Sequence, residues 1–213
     1  RSHGENFGAH AAQCHKGNPE DISVRIPLLM RLTRALPTDY TSQLLIGTLD
    51  MPSTIMGLMG LMGHRIPLNW QGKDLSSAIR NKDEDVVDSV PIFNFKPSRR
   101  GVSTRRHTFA LENIERSPDL HTRFGSDLPP RRKYTQSFNV FYDRDEDPLQ
   151  LKNLINSTEH IDTAWELTQL THDWCKAFRD PFLSYKRLLE IVGDRDDRCP
   201  IDLVAPVDDN TKM

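Results

Sequence analysis

The stretch HIDTAWELTQLTHDWCKAFRDPF, residues 160–182, carries the clearest periodicity in the chain. Ile161, Ala164, Leu167, Leu170, Trp174 and Phe178 recur at helical spacing, which puts them on one face of a helix. A helix with one apolar face needs an apolar surface to cover. Upstream, SVPIFNF, GVSTRRHTFAL and SFNVFYD are strand-like runs separated by loops, the longest being ENIERSPDLHTRFGSDLPPRRKYTQ. Strands followed by a one-sided helix predict a small α+β unit, an antiparallel sheet with the helix packed on one face. A second helix over roughly residues 183–192, ended by Gly193, and a loose acidic tail after Asp194 complete this half.

The first half reads differently. Residues 1–21 are polar and glycine-rich, without apolar periodicity, and predict a loop. Ser23 to Leu32, SVRIPLLMRL, is aliphatic and β-branched and predicts a strand, with Pro27 at an edge, an end or a bulge because it has no N–H to give. Asp50 is placed to cap a helix with Pro52 in its first turn, closed by Gly60 or Gly63. Met51, Met56, Met59 and Met62 on that helix suggest a metal or a groove, but methionine at helical spacing also fills irregular cores, and core packing is the better reading. A short helix is expected near Leu75 to Arg80.

Composition narrows the function. The 28 basic and 30 acidic side chains of the 213 residues leave a formal charge of -2, so there is no global attraction to nucleic acid or anionic membrane. No apolar run reaches the length of a membrane span. Cys14, Cys175 and Cys199 show no C-x-x-C spacing and encode neither a disulfide framework nor a zinc knuckle. His3, His10, Cys14 and His15 crowd together, yet lack the paired spacing of a structural zinc site; one ligand given to a larger site fits them better. DRDEDP, residues 143–148, starts like a calcium loop but has Pro148 where the sixth-place glycine belongs, so it reads as a turn leaving a strand. SRRG and TRR, residues 98–106, form a basic patch that suits a charged strand edge better than an anionic ligand. FKPSR has Phe95 where a C-x-P-S-R motif has its cysteine, and phenylalanine is no nucleophile. No nucleophile elbow, Walker loop or dinucleotide fingerprint is present. Spacing alone assigns no function.

Four stretches, in chain order, resemble a known family. SHGENFGAH…KGNPEDISVRIPLLMR is similar to SDHGE-x-x-G-x-H…KG-x-P-x-E-x-S-x-R-x-P, with Lys16, Pro19, Ser23, Arg25 and Pro27 in register. TLDMPSTIMGLMGLMGHRIPLNWQGKDLS is similar to a D-x-x-PT helix with its QG loop. GVSTRRHTFAL resembles x-VRT-x-RYKY, and FYDRDEDPLQLKNLI resembles LYD-x-x-x-DP-x-E-x-x-NLA. These are motifs of the C-terminal part of type I, formylglycine-dependent sulfatases of the alkaline phosphatase superfamily, and together they span roughly residues 2–178.

The resemblance implies an α/β fold: the distal part of a sulfatase catalytic domain over residues 1–85, truncated at its N-terminus, then a C-terminal α+β subdomain over 86–193 and a tail over 194–213. It implies a sulfuric ester hydrolase acting on a sulfated carbohydrate or another sulfated small molecule, with no nucleic acid partner. The nucleophile and two early aspartates on a calcium ion are expected upstream of this chain, which alone is expected to be inactive. Ca2+ is the implied cofactor, His3 matches the Asn or His that faces it, and Lys16 matches the catalytic lysine on the sulfate group. Arg25 is expected to anchor a strand rather than act in catalysis. Ser2 stands where the family has a metal-binding Asp, and a hydroxyl gives calcium less charge than a carboxylate. Two alternatives stay open: a noncatalytic sulfatase-derived binding protein, and a phosphodiesterase or phosphonate monoester hydrolase of the same superfamily.

Overall fold

The computed structural model describes residues 3–7, 9, 18–61, 70–93, 99–112, 139–180, 182, 188 and 192. Its helices are α1 (Asp21–Val24), α2 (Asp50–Leu58), α3 (Ser76–Asn81) and α4 (Ile161–Ala177). Four strands, β1 (Val90–Phe93), β2 (Arg99–Ser103), β3 (His107–Glu112) and β4 (Val140–Asp143), pair in sequence order, each antiparallel to the next.

Register decides which residues become core. Val102 pairs with Phe109, and Phe109 with Phe141, so all three project from one face of the sheet. They are fully buried with Leu111, and Ala164 and Leu167 of α4 close over them together with Phe182 and Leu188. Phe109 and Phe141 meet edge to face at 6.1 Å. The opposite face, with Thr108, Ala110, Val140 and Tyr142, receives the N-terminal segment: the Thr108 hydroxyl donates to Asp21, and the Tyr142 hydroxyl reaches Glu20. The sheet is thus covered on one side by a long helix and on the other by a short one.

The GVSTRRHTFAL run is two strands rather than one. Thr104 folds it back: its Oγ1 accepts the N–H groups of Arg106 and His107, and its own N–H donates to the His107 carbonyl. Glycine is required at position 101, where a Cβ would lie 1.9 Å from the Phe109 carbonyl oxygen. At the far edge, Asn153 acts as a strand substitute. It accepts the Phe141 N–H at 2.9 Å and donates to the Asn139 carbonyl, while the Leu154 N–H pairs with the Phe141 carbonyl.

Four sequence expectations change. Ser23–Leu32 is not a strand: Asp21–Val24 forms one helical turn, the chain then runs irregularly, and Leu29 is 95% exposed. A strand exists by pairing, and among the described residues none lies beside it. The buried stripe of α4 is Ala164, Leu167, Thr168, Thr171 and Cys175, with Ile161, Leu170 and Trp174 only half-buried. Both threonines fit because their hydroxyls donate back to the Ala164 and Leu167 carbonyls. On α2 the packed residues are Ser53, Thr54 and Gly57; Met51 and Met56 are half-buried and Met59 is exposed, so they are not core, while Met62 lies outside the described residues. Nor does Asp50 cap its own helix; its carboxylate accepts the N–H groups of Gly47 and Lys73, tying two loops together. The expected helix over 183–192 falls mostly outside the described residues, of which Leu188 and Val192 are helical and buried.

Phe141 stands at the centre of this packing, against Phe109, His107 and His160. Phe141→Ala is expected to cost about 3–5 kcal/mol of stability, read as a lowered midpoint in urea unfolding with an unchanged slope.

Candidate active-site edge

His3 lies on an irregular segment fixed to α1. The Gly4 N–H donates to the Ser23 carbonyl at 2.8 Å, and a Cβ on Gly4 would lie 1.9 Å from the Ile22 carbonyl oxygen. Only glycine allows so close an approach. The His3 Nδ1–H donates to the Gly4 carbonyl at 2.8 Å, which leaves the lone pair of the neutral ring on Nε2. The Glu5 carboxylate is 3.9 Å from Nδ1. Asn6 is 1% exposed, with both amide atoms buried and, among the described residues, without hydrogen-bond partners. Glu20 Oε2 is buried in the same way.

The calcium expectation can be tested on this geometry. Metal-bound histidines usually donate their second ring N–H to a carbonyl or carboxylate, and His3 has that arrangement. That ring geometry is compatible with a metal-facing His3, without selecting calcium. Calcium takes six to eight ligands, mostly oxygens, and among the described residues no group of three His, Cys, Asp or Glu side chains converges. Lys16, Ser2, His10, Cys14 and His15 lie outside the described residues, as does Phe95. Of the three cysteines, Cys175 is described; it is buried, and burial pushes its thiol up to about 11, away from reactivity.

Sequence reasoning missed the group that holds this edge in place. Gln150 Oε1 accepts the Asp21 N–H at 2.7 Å, and Gln150 Nε2 donates to Asp21 Oδ1 at 3.2 Å and to Thr108 Oγ1 at 2.8 Å. Arg144 Nη1 donates to Asp21 Oδ1 at 3.1 Å, to Thr108 Oγ1 at 2.7 Å and to Ser103 Oγ at 3.1 Å. A signal existed: Asp21 and Gln150 fall at the two glutamate places of the KG-x-P-x-E and DP-x-E motifs. Arg25, expected as a strand anchor, is a mostly exposed partner of Asp21 at 3.3 Å, with no strand to anchor.

Three of the four arginines of the basic patch are paired with acids of the chain. Arg100 pairs with Asp180 at 2.8 Å and lies over the Phe93 and Phe182 rings. Arg105 pairs with Asp85 and donates to the Glu84 carbonyl. Arg106 grips both oxygens of the buried Asp143 carboxylate. DRDEDP is a turn leaving β4, in which Asp143 also accepts the Asp145 N–H. A cavity of about 360 Å³ lies between the approach to α2, β1 and the end of α4, with Phe93, Trp174 and Phe178 in its wall. Its charged lining residues are Asp50 and Asp180, which makes it a poor seat for an anion.

No family model matches the chain. It is 25% identical over 209 residues to an endo-4-O-sulfatase of Bacteroides thetaiotaomicron, covering 91% of this chain and 37% of that protein. With an ulvan-active sulfatase of Formosa agariphila it shares 24% identity over 167 residues, 74% of this chain and 28% of the other. A solved Bacteroides thetaiotaomicron structure from a locus for glycosaminoglycan metabolism matches with a TM-score of 0.66 at 23% identity, over 89% of this chain and 38% of that one. A protein solved with its substrate D-glucosamine-2-N,6-O-disulfate matches with a TM-score of 0.54 at 19% identity, over 75% of this chain and 30% of that one. The chain spans about a third of the length of the curated relatives it matches. Its fold is that of the C-terminal portion of the sulfatases, α/β with a four-stranded antiparallel sheet.

Arg106 holds the Asp143 carboxyl below the usual carboxylate range, chiefly through their hydrogen bonds. With the folded value depressed, ionised Asp143 contributes stability that is complete above about pH 4 and lost as pH falls through the depressed value. Arg106→Gln is expected to lower stability at neutral pH and to flatten its acid decline below about pH 4, measured by urea midpoints across that range.

Proposed function

We propose that this chain, with the distal fold of a sulfatase, forms one side of the active site of an enzyme that hydrolyses sulfate esters on a sulfated carbohydrate. The observation that carries the reading is the sequence likeness to sulfatases over 91% of the chain in one case and 74% in another. The glycan part follows relatives named for endo-4-O-sulfatase and ulvan activity, and the neighbour solved with a disulfated glucosamine.

The chemistry asks for cations. Cleaving a sulfate ester builds negative charge on the transferring group and on the departing oxygen, and fixed positive charge in a water-poor site stabilises it. Lys16 supplies a compact ammonium for the sulfate oxygens. His3 offers its Nε2 lone pair as one ligand to calcium. The bound ion would add Lewis-acid stabilisation of the same charge. Glycine at position 4 lets the His3 segment lie directly on α1, and α1 in turn lies on the sheet. The nucleophile comes from a C/S-x-P-S-R motif that these 213 residues do not contain.

One observation favours a noncatalytic binding protein instead: Ser2 in place of a metal-binding carboxylate. Turnover separates the readings. The protein uniting this chain with a C/S-x-P-S-R segment is expected to cleave aryl sulfate faster than aryl phosphate, and Lys16→Ala to lower kcat by about 10²–10³-fold. The 213-residue chain alone is expected to cleave neither. Binding of sulfated glycan without any turnover would establish the noncatalytic reading.

A further inference from the structure

We propose that Thr108, Arg144 and Gln150 are positioning residues: from the face of the sheet opposite α4 they set the place and ring tautomer of His3. The inference rests on the reading that His3 belongs to the active site, and it extends that site's machinery into the C-terminal sheet. An unbroken series of contacts carries it. Thr108 Oγ1, fully buried on β3, receives Arg144 and Gln150 and donates to Asp21 Oδ1. Gln150 holds Asp21 at both its backbone N–H and its carboxylate. Two residues on, the Ser23 carbonyl takes the Gly4 N–H, and the Gly4 carbonyl takes the His3 ring.

Two features separate this from an ordinary surface stitch. The series has no slack, because the His3 segment touches α1 at a point where not even a methyl group fits. Gln150 also sits at φ +56°, a left-handed conformation unfavourable for glutamine, while 2% exposed. Such an outlier persists where the surroundings over-determine it, and here the side chain makes three hydrogen bonds. Arg144 balances the Asp21 charge, with 11% and 19% of their side chains exposed.

The test uses a hydroxyl swap. In the 213-residue chain, Thr108→Val removes Oγ1 with little change of shape, and Thr108→Ser restores it. Leu167→Val, on the buried face of α4, serves as a stability control. Hydrogen exchange at the Gly4 amide and the ring ¹⁵N shifts of His3 are read in each. Thr108→Val is expected to speed Gly4 exchange by about tenfold or more and to move His3 from the Nδ1–H tautomer to a mixture. Thr108→Ser is expected to recover both, and Leu167→Val to lower Tm while moving neither. Unchanged Gly4 exchange and unchanged ring shifts in Thr108→Val would overturn the proposal, as would equal shifts in Leu167→Val. Calcium titration of the protein bearing the nucleophile segment keeps the two ideas apart. If His3→Ala leaves calcium affinity unchanged, the metal role of His3 fails and the positioning is judged by exchange and ring shifts alone. If His3→Ala weakens calcium binding and Thr108→Val does not, the positioning role fails.

Discussion

A carboxylate enclosed between two layers of a protein has to find donors there, and the Asp21 carboxylate finds three on a single oxygen. Thr108, Arg144 and Gln150 converge on Oδ1 from β3 and from the turn after β4. Removing one partner would leave the others buried and under-bonded, at a cost of about 1–3 kcal/mol per group. The N-terminal segment and the sheet are joined in this way by polar groups. Directional bonds tolerate displacement poorly, so they fix the relative placement of the two parts more tightly than a greasy contact of similar size would.

The charge pattern follows the same economy. Positively charged side chains on β2 and in the turn after it look like a binding surface in a linear sequence, but three of them have an acid within reach that lies well away along the chain. Arg100 finds Asp180, Arg105 finds Asp85 and Arg106 finds Asp143. Asp143 is nearly enclosed and Arg106 half exposed, so the arginine brings charge to a carboxylate that water scarcely reaches.

Much of this fold was legible in the sequence because its signals are local. The periodicity of α4, the aromatic and β-branched runs of the sheet and the interval of α2 between Pro52 and Gly60 each depend on neighbours a few residues away. Three things were not legible, each for a physical reason. Residues 23–32 have strand composition, but composition cannot supply the adjacent strand that would make them one. The inner face of α4 includes threonines whose polarity is cancelled by bonds to their own helix, which a hydrophobicity pattern cannot register. At the candidate site the motifs pointed to His3 but did not show the group that supports it, since Thr108 and Arg144 are brought to Asp21 only by folding, from 87 and 123 residues away.

Asn153 has a consequence for how such a sheet can grow. Its side chain takes up backbone groups of β4 that a fifth strand would have used, so the ladder is terminated by an amide rather than by solvent or a partner. A sheet closed on that side has a direction. Among the described residues the ladder stops at β4 on one side chain that is neither catalytic nor core, and lateral pairing with an inserted segment or another polypeptide is refused on that side.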